Sequence, residues 1–122
     1  MKVEISNGEF VDKLSILCIK GHKRLRNNAM DNVNKEYGQL IKVAPEELGV
    51  NSWGFQTLVI INSVLWNLEK ELRVLEEDGQ LGQSSVFLST LVRRYNAMRA
   101  SVKKMIDIKT HSNLTEEKNY KV

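Results

Sequence analysis

The chain has 122 residues, 42% hydrophobic and 27% charged, with one proline and seven glycines, which excludes a disordered chain and fits one hydrophobic core and one domain. Cys18 is the only cysteine, so an intrachain disulfide and a thiolate metal cluster are excluded. The net charge of +3, from 18 basic and 15 acidic residues, is small for a nucleic-acid binder.

Met1 to Asn7 lacks the basic start and apolar run of a signal peptide, so the cytoplasm is the expected compartment. The first helix has a full start signal. Ser6 and Glu9 form an S-x-x-E capping box, with Ile5 and Phe10 spaced as a hydrophobic staple. Val11, Leu14, Cys18, Gly21 and Leu25 then recur in steps of three and four residues, and Phe10 and Leu17 widen the stripe. Val3 to Ile5 reads as a short extended segment. Asn27 to Met30 reads as a turn, followed by a shorter helix marked by Met30, Val33, Tyr37, Leu40, Ile41 and Ala44. Pro45 ends it or starts a single turn through Glu46 and Glu47.

A third helix is predicted from Ser52 or Gly54 to Asp78. Leu58, Ile61, Leu65, Leu68, Leu72 and Leu75 keep a strict 3-4-3-4-3 spacing, and Gly79 is its stop. Its most apolar part, Phe55 to Leu68, is interrupted by Gln56, Asn62, Ser63 and Asn67 and is too short to span a bilayer. The fourth helix starts near Ser84 or Ser85 and repeats the pattern at Leu88, Leu91, Tyr95, Met98, Val102 and Met105, leaving 110–122 as a polar tail. The fold class is therefore all-α, a bundle of about four helices.

Two faces exceed what one small bundle needs. Ile16 and Ile19 point away from the main stripe of the first helix, and Val59 and Trp66 lie opposite the seam of the third. Pairing of two copies through helices one and three would cover both. Asp12 lies on that second face of helix one, and Arg99 sits midway between Val92 and Ile106 on an apolar seam of helix four. A carboxylate there needs a cation, so Asp12 or Glu9 is matched with Arg99, as an ion pair that fixes helix register or as part of a ligand site.

Arg93, Arg94, Arg99, Lys103 and Lys104 form a basic run. It lacks interleaved aromatics, so a solvated face is expected and nucleic acid is not. His22 and His111 have no partner at zinc-ligand spacing, Cys18 sits on a core stripe, and phosphate-loop, dinucleotide and nucleophile-elbow motifs are absent. No metal or cofactor is expected. Glu9-x-x-Asp12 stands alone where helical pyrophosphohydrolases carry paired acidic motifs. Arg94, Arg99, Lys13 and Glu9 match the residue types, but not a diagnostic spacing, of helical chorismate mutases.

The segment Glu4 to Lys20, E-I-S-N-G-E-F-V-D-K-L-S-I-L-C-I-K, resembles the opening of a small family of bacterial and phage-associated proteins with no established activity. The resemblance continues at Leu65 to Arg73, Arg94 to Lys103 and Glu116 to Tyr120. It implies an all-helical domain whose tail docks on the bundle, and it carries no catalytic residue. Glu9, Asp12, Lys13, Asn96, Arg99, Lys103, Glu117, Lys118 and Tyr120 match the pattern. Cys18 departs from it, since relatives tend to have glutamate there.

The leading reading is a non-enzymatic interaction or accessory domain that forms a homodimer. The alternative is a binder of, or enzyme acting on, a small anionic metabolite, with Glu9, Asp12, Lys13, Asn96, Arg99 and Lys103 as the candidate binding residues. Weak nucleic-acid binding through helix four comes third.

Overall fold

The structure is a computed structural model that describes residues 2–23, 27–111 and 120–121. Its first helix, α1 (Asn7–Gly21), starts where the capping box places it, with the Ser6 hydroxyl accepting the Glu9 N–H at 3.2 Å. The Glu9 carboxylate does not complete the box. It reaches Lys103 at 2.7 Å, and a second free donor of the first turn, the Gly8 N–H, is satisfied instead by Asp107 Oδ1 at 2.7 Å.

Helix α2 (Asn27–Val43) begins at Asn27, so the turn expected over Asn27 to Met30 is already helical. Asparagine is a poor helix former in the interior but is favoured at a helix start, where backbone donors are unpaired. Pro45 precedes a single 3₁₀ turn, Glu46–Leu48, whose Leu48 is buried. Helix α3 (Trp53–Glu77) is capped by the Ser52 hydroxyl, which accepts from the Phe55 N–H at 3.2 Å. The chain leaves α3 through Gly79 at φ +69°, a conformation that suits glycine. Helix α4 (Gln83–Lys109) follows, with the Ser85 hydroxyl accepting the Gly82 N–H at 2.9 Å.

Thr110, assigned from sequence to the tail, closes α4. Its hydroxyl donates to the Ile106 carbonyl at 2.6 Å and accepts from Asn7 Nδ2 at 2.8 Å. A two-residue strand β1 (Lys2–Val3) pairs antiparallel with β2 (Tyr120–Lys121), Val3 opposite Tyr120. The extended start, expected over Val3 to Ile5, is Lys2–Val3. Leu25, Glu117 and Lys118 lie outside the described residues.

Helices α3 and α4 form a long antiparallel hairpin, and α1 lies across one end of it. The core joins Phe10, Val11, Leu14 and Leu17 of α1, Leu40 of α2, Leu48 of the 3₁₀ turn, the α3 residues Phe55, Leu58, Ile61 and Leu65, and Val102 and Ile106 of α4. All the α3 and α4 members come from the base of the hairpin, because α1 has 15 residues (~22 Å) against 25 (~37 Å) for α3. The approach there is close. A Cβ on Gly8 would stand 2.3 Å from the Lys103 carbonyl oxygen, and one on Gly54 would stand 2.6 Å from the Ile106 side chain.

The second apolar face of α1 finds its cover inside the chain, where Ile19 is buried and Ile16 half-buried. Trp66 is half-buried, with the Lys23 ammonium 5.5 Å from its ring centroid. The expected pairing of two copies through helices one and three therefore loses its helix-one half, because α3 already occupies that face. Beyond Leu65 and before Arg99, the hairpin leucines at 68, 72, 75, 88 and 91 are only half-buried. Among the described residues, no helix is long and apolar enough to cross a membrane.

Candidate functional site

Polar residues that one-face helical spacing would send to solvent converge where α1 crosses the hairpin. Asp12, 4% exposed, lies on the α1 face that meets α3 and α4. Arg99 reaches it from α4, with Nε donating to Oδ1 at 2.9 Å and Nη2 to Oδ2, a two-pronged pair. Asn62 Nδ2 on α3 donates to the same Oδ1 at 3.0 Å and to Ser15 Oγ at 2.8 Å, and Ser15 donates back to the Asp12 carbonyl at 2.7 Å. The carboxylate is thus held by three donors from two helices, which supplies what a buried charge requires. The bond to Asp12 pushes the Arg99 guanidinium above its ordinary value, with burial working against it.

The expected match of Asp12 with Arg99 is present, and Glu9 takes Lys103, one turn further along α4. Lys13 turns to the other side and pairs with Glu36 of α2 at 3.0 Å. Asn96 is exposed on α4 and joins none of these contacts. Arg99 and Lys103 face α1 while Arg93, Arg94 and Lys104 are exposed, so the basic run is split between two sides of α4. The sequence reading missed Asn62, Ser15, Glu36 and Asp107. Asn62 was discoverable, because it falls between Leu58 and Leu65 on an otherwise apolar seam.

Between α1 and α2 lies a cleft of about 420 Å³ lined by Glu9, Asp12, Lys13, Lys20, Asn32 and Glu36 over Ile5, Ile16, Leu17 and Val33. A recess of about 180 Å³ opens on the other side of Ile16, beside Arg99, Trp66 and Glu69. Cys18 is half-buried; its carbonyl accepts from His22 Nδ1 at 2.8 Å, and its thiol meets the Tyr37 hydroxyl. Burial first, then Cys18, pushes Tyr37 above the ordinary tyrosine value. Among the described residues, no three histidine, cysteine, aspartate or glutamate side chains are grouped to hold a metal ion. A groove of about 800 Å³ lies near the hairpin tip, bordered by Asn67, Glu71, Val74 and Phe87.

This geometry defines an all-α bundle in which a short helix clasps one end of a long helical hairpin. The chain belongs to the family of unknown function DUF6165, which it matches over residues 1–122. No curated protein and no solved structure matches it.

Proposed function

We propose that the chain is a non-enzymatic interaction domain that pairs with a second copy of itself through the face of the α3–α4 hairpin turned away from α1. One observation carries this reading. Two ladders with a seven-residue step, Trp53, Ile60, Asn67 and Val74 on α3 and Phe87, Arg94, Ser101 and Ile108 on α4, are exposed at every rung. Met98 and Met105 are exposed beside them. At 100° per residue, Ile60 and Ser101 stand about 160° around their helices from Asn62 and Arg99, which bind Asp12 of α1. Ile60 and Phe87 are 66% and 62% exposed, and so many large apolar side chains exposed along one face are uncommon on a monomer.

The size of the face suits a second copy. Two helices some 37 Å long and together about 20 Å wide offer roughly 700 Å² per partner, near the 800 Å² or so of a standard interface. Charge selects the arrangement. Trp53 lies level with Lys109, whose ammonium is 4.4 Å from the ring centroid. Placing α3 of one copy over α4 of the other, ends aligned, therefore sets Val74 on Phe87 and Trp53 on Ile108. Glu71 then falls within one turn of Arg94, and both are exposed. Every helix gains an antiparallel neighbour, completing a four-helix bundle. The single half-buried cysteine suits assembly in the cytoplasm.

Sedimentation equilibrium at micromolar concentration is expected to give about twice 14.0 kDa. Ile60→Glu or Phe87→Glu should leave a monomer with an unchanged helical spectrum, since both side chains are exposed in the single chain. Glu71→Arg and Arg94→Glu should each weaken association about fivefold and restore it when combined. A 14.0 kDa species at every concentration overturns the proposal.

A further inference from the structure

The α1–α2 cleft lies on the opposite side of the molecule from the pairing face and is independent of it. We propose that it binds a small molecule carrying an anionic group at each end of an apolar middle. The argument starts from which charges lining the cleft are already satisfied. Glu9 is held by Lys103, and Asp12 by Arg99 and Asn62, so the hairpin neutralises both carboxylates from behind. Lys13 meets Glu36 at 3.0 Å with both side chains partly exposed, 33% and 42%, and a pair reached by solvent in this way is weak enough to exchange partners. Lys20 lines the same cleft and makes no ion pair among the described residues. Counting Lys13, Lys20, Arg99 and Lys103 against Glu9, Asp12 and Glu36 leaves one positive charge, on Lys20.

The spacing gives the ligand its shape. Lys13 and Lys20 are seven residues apart on one face of α1, about 10 Å along the axis, and Ile16 and Leu17 fill the interval. Val33 of α2 lines the same cleft. Two cations separated by an apolar floor complement a dianion whose charged ends flank a hydrocarbon middle, and a 420 Å³ cleft falls within the usual size of small-molecule sites.

Octanedioate is a suitable probe, because its extended carboxylates stand about as far apart as the two lysines. Titration of the whole chain, followed by amide NMR, is expected to shift Ile16, Leu17, Lys20, Val33 and Glu36. Octanoate should bind more weakly, and octane-1,8-diol more weakly still. Lys20→Gln should weaken octanedioate about tenfold, the size of one charge-assisted contact. Glu36→Gln should tighten it, because Lys13 loses its internal competitor, a gain that a purely structural role for the pair does not predict. Shifts centred on Trp53, Ile60 and Phe87, an equal response to the diol, unchanged affinity in both variants, or no shifts at millimolar probe would each overturn the proposal.

Discussion

Leu58, Leu65 and Leu72 occupy one seven-residue ladder of α3. Leu58 is fully buried and Leu65 is 4% exposed, while Leu72 is only half-buried. The seven-residue step puts all three on one face of α3, and what distinguishes them is α1, which covers the base of the hairpin and stops short of the tip. Two antiparallel helices bury one side of a leucine, and a third helix is needed to close the other. In this molecule the burial of a seam residue therefore reports how far the short helix reaches.

The largest expected effect tests that difference directly. Leu58→Ala should cost about 3–4 kcal/mol in urea unfolding, and Leu72→Ala about 1 kcal/mol at dilutions where the chain is monomeric. Equal costs would break the comparison by showing that the tip has a cover of its own. Next comes the boundary between the two halves, where Arg99 is the α4 residue nearest the tip to bond α1. Arg99→Met should cost about 3 kcal/mol, since it leaves the Asp12 carboxylate buried without its cation. Adding Asp12→Leu should recover most of that loss. If Arg99→Met alone is neutral, the pair does not fasten α1 to the hairpin.

The smallest effect sharpens the account of α1 on its other side. Tyr37 of α2 is pushed upward by burial and by Cys18, so above about pH 10 the unfolded chain gives up this proton before the folded chain does. Its contribution is fully present below that pH and is lost as pH rises through the folded value. Tyr37→Phe should remove this alkaline slope in melting temperature and leave stability at neutral pH little changed.

The parts of the fold legible in the sequence are those set by neighbours along the chain. The cap at Ser6, the stop at Gly79, the Pro45 turn and the leucine ladder each depend on a few residues within one or two turns. The match of Asp12 with Arg99 was legible for another reason: each is a charge on an apolar face, and each needs a partner of opposite sign. Glu36 and Asp107 gave no such signal, because both lie on polar faces and their partners Lys13 and Gly8 are fixed only by how the helices cross. The exposed ladders were hidden for a third reason. Asn67, Arg94 and Ser101 interrupt them, so neither stands out as an apolar stripe until the two helices lie side by side.

The first turn of α1 is fastened by the last residues of α4, through Gly8 to Asp107 and Asn7 to Thr110, contacts that span 99 and 103 positions of the chain. Closing so long a loop costs more entropy than closing the shorter ones that join α1 to α2 and α3. The start of α1 is thus fastened by the helix furthest from it in chain order. Without α4, Phe10, Val11 and Leu14 keep Phe55, Leu58 and Ile61 of α3 but lack Val102 and Ile106, so a chain cut short of α4 exposes one side of its core.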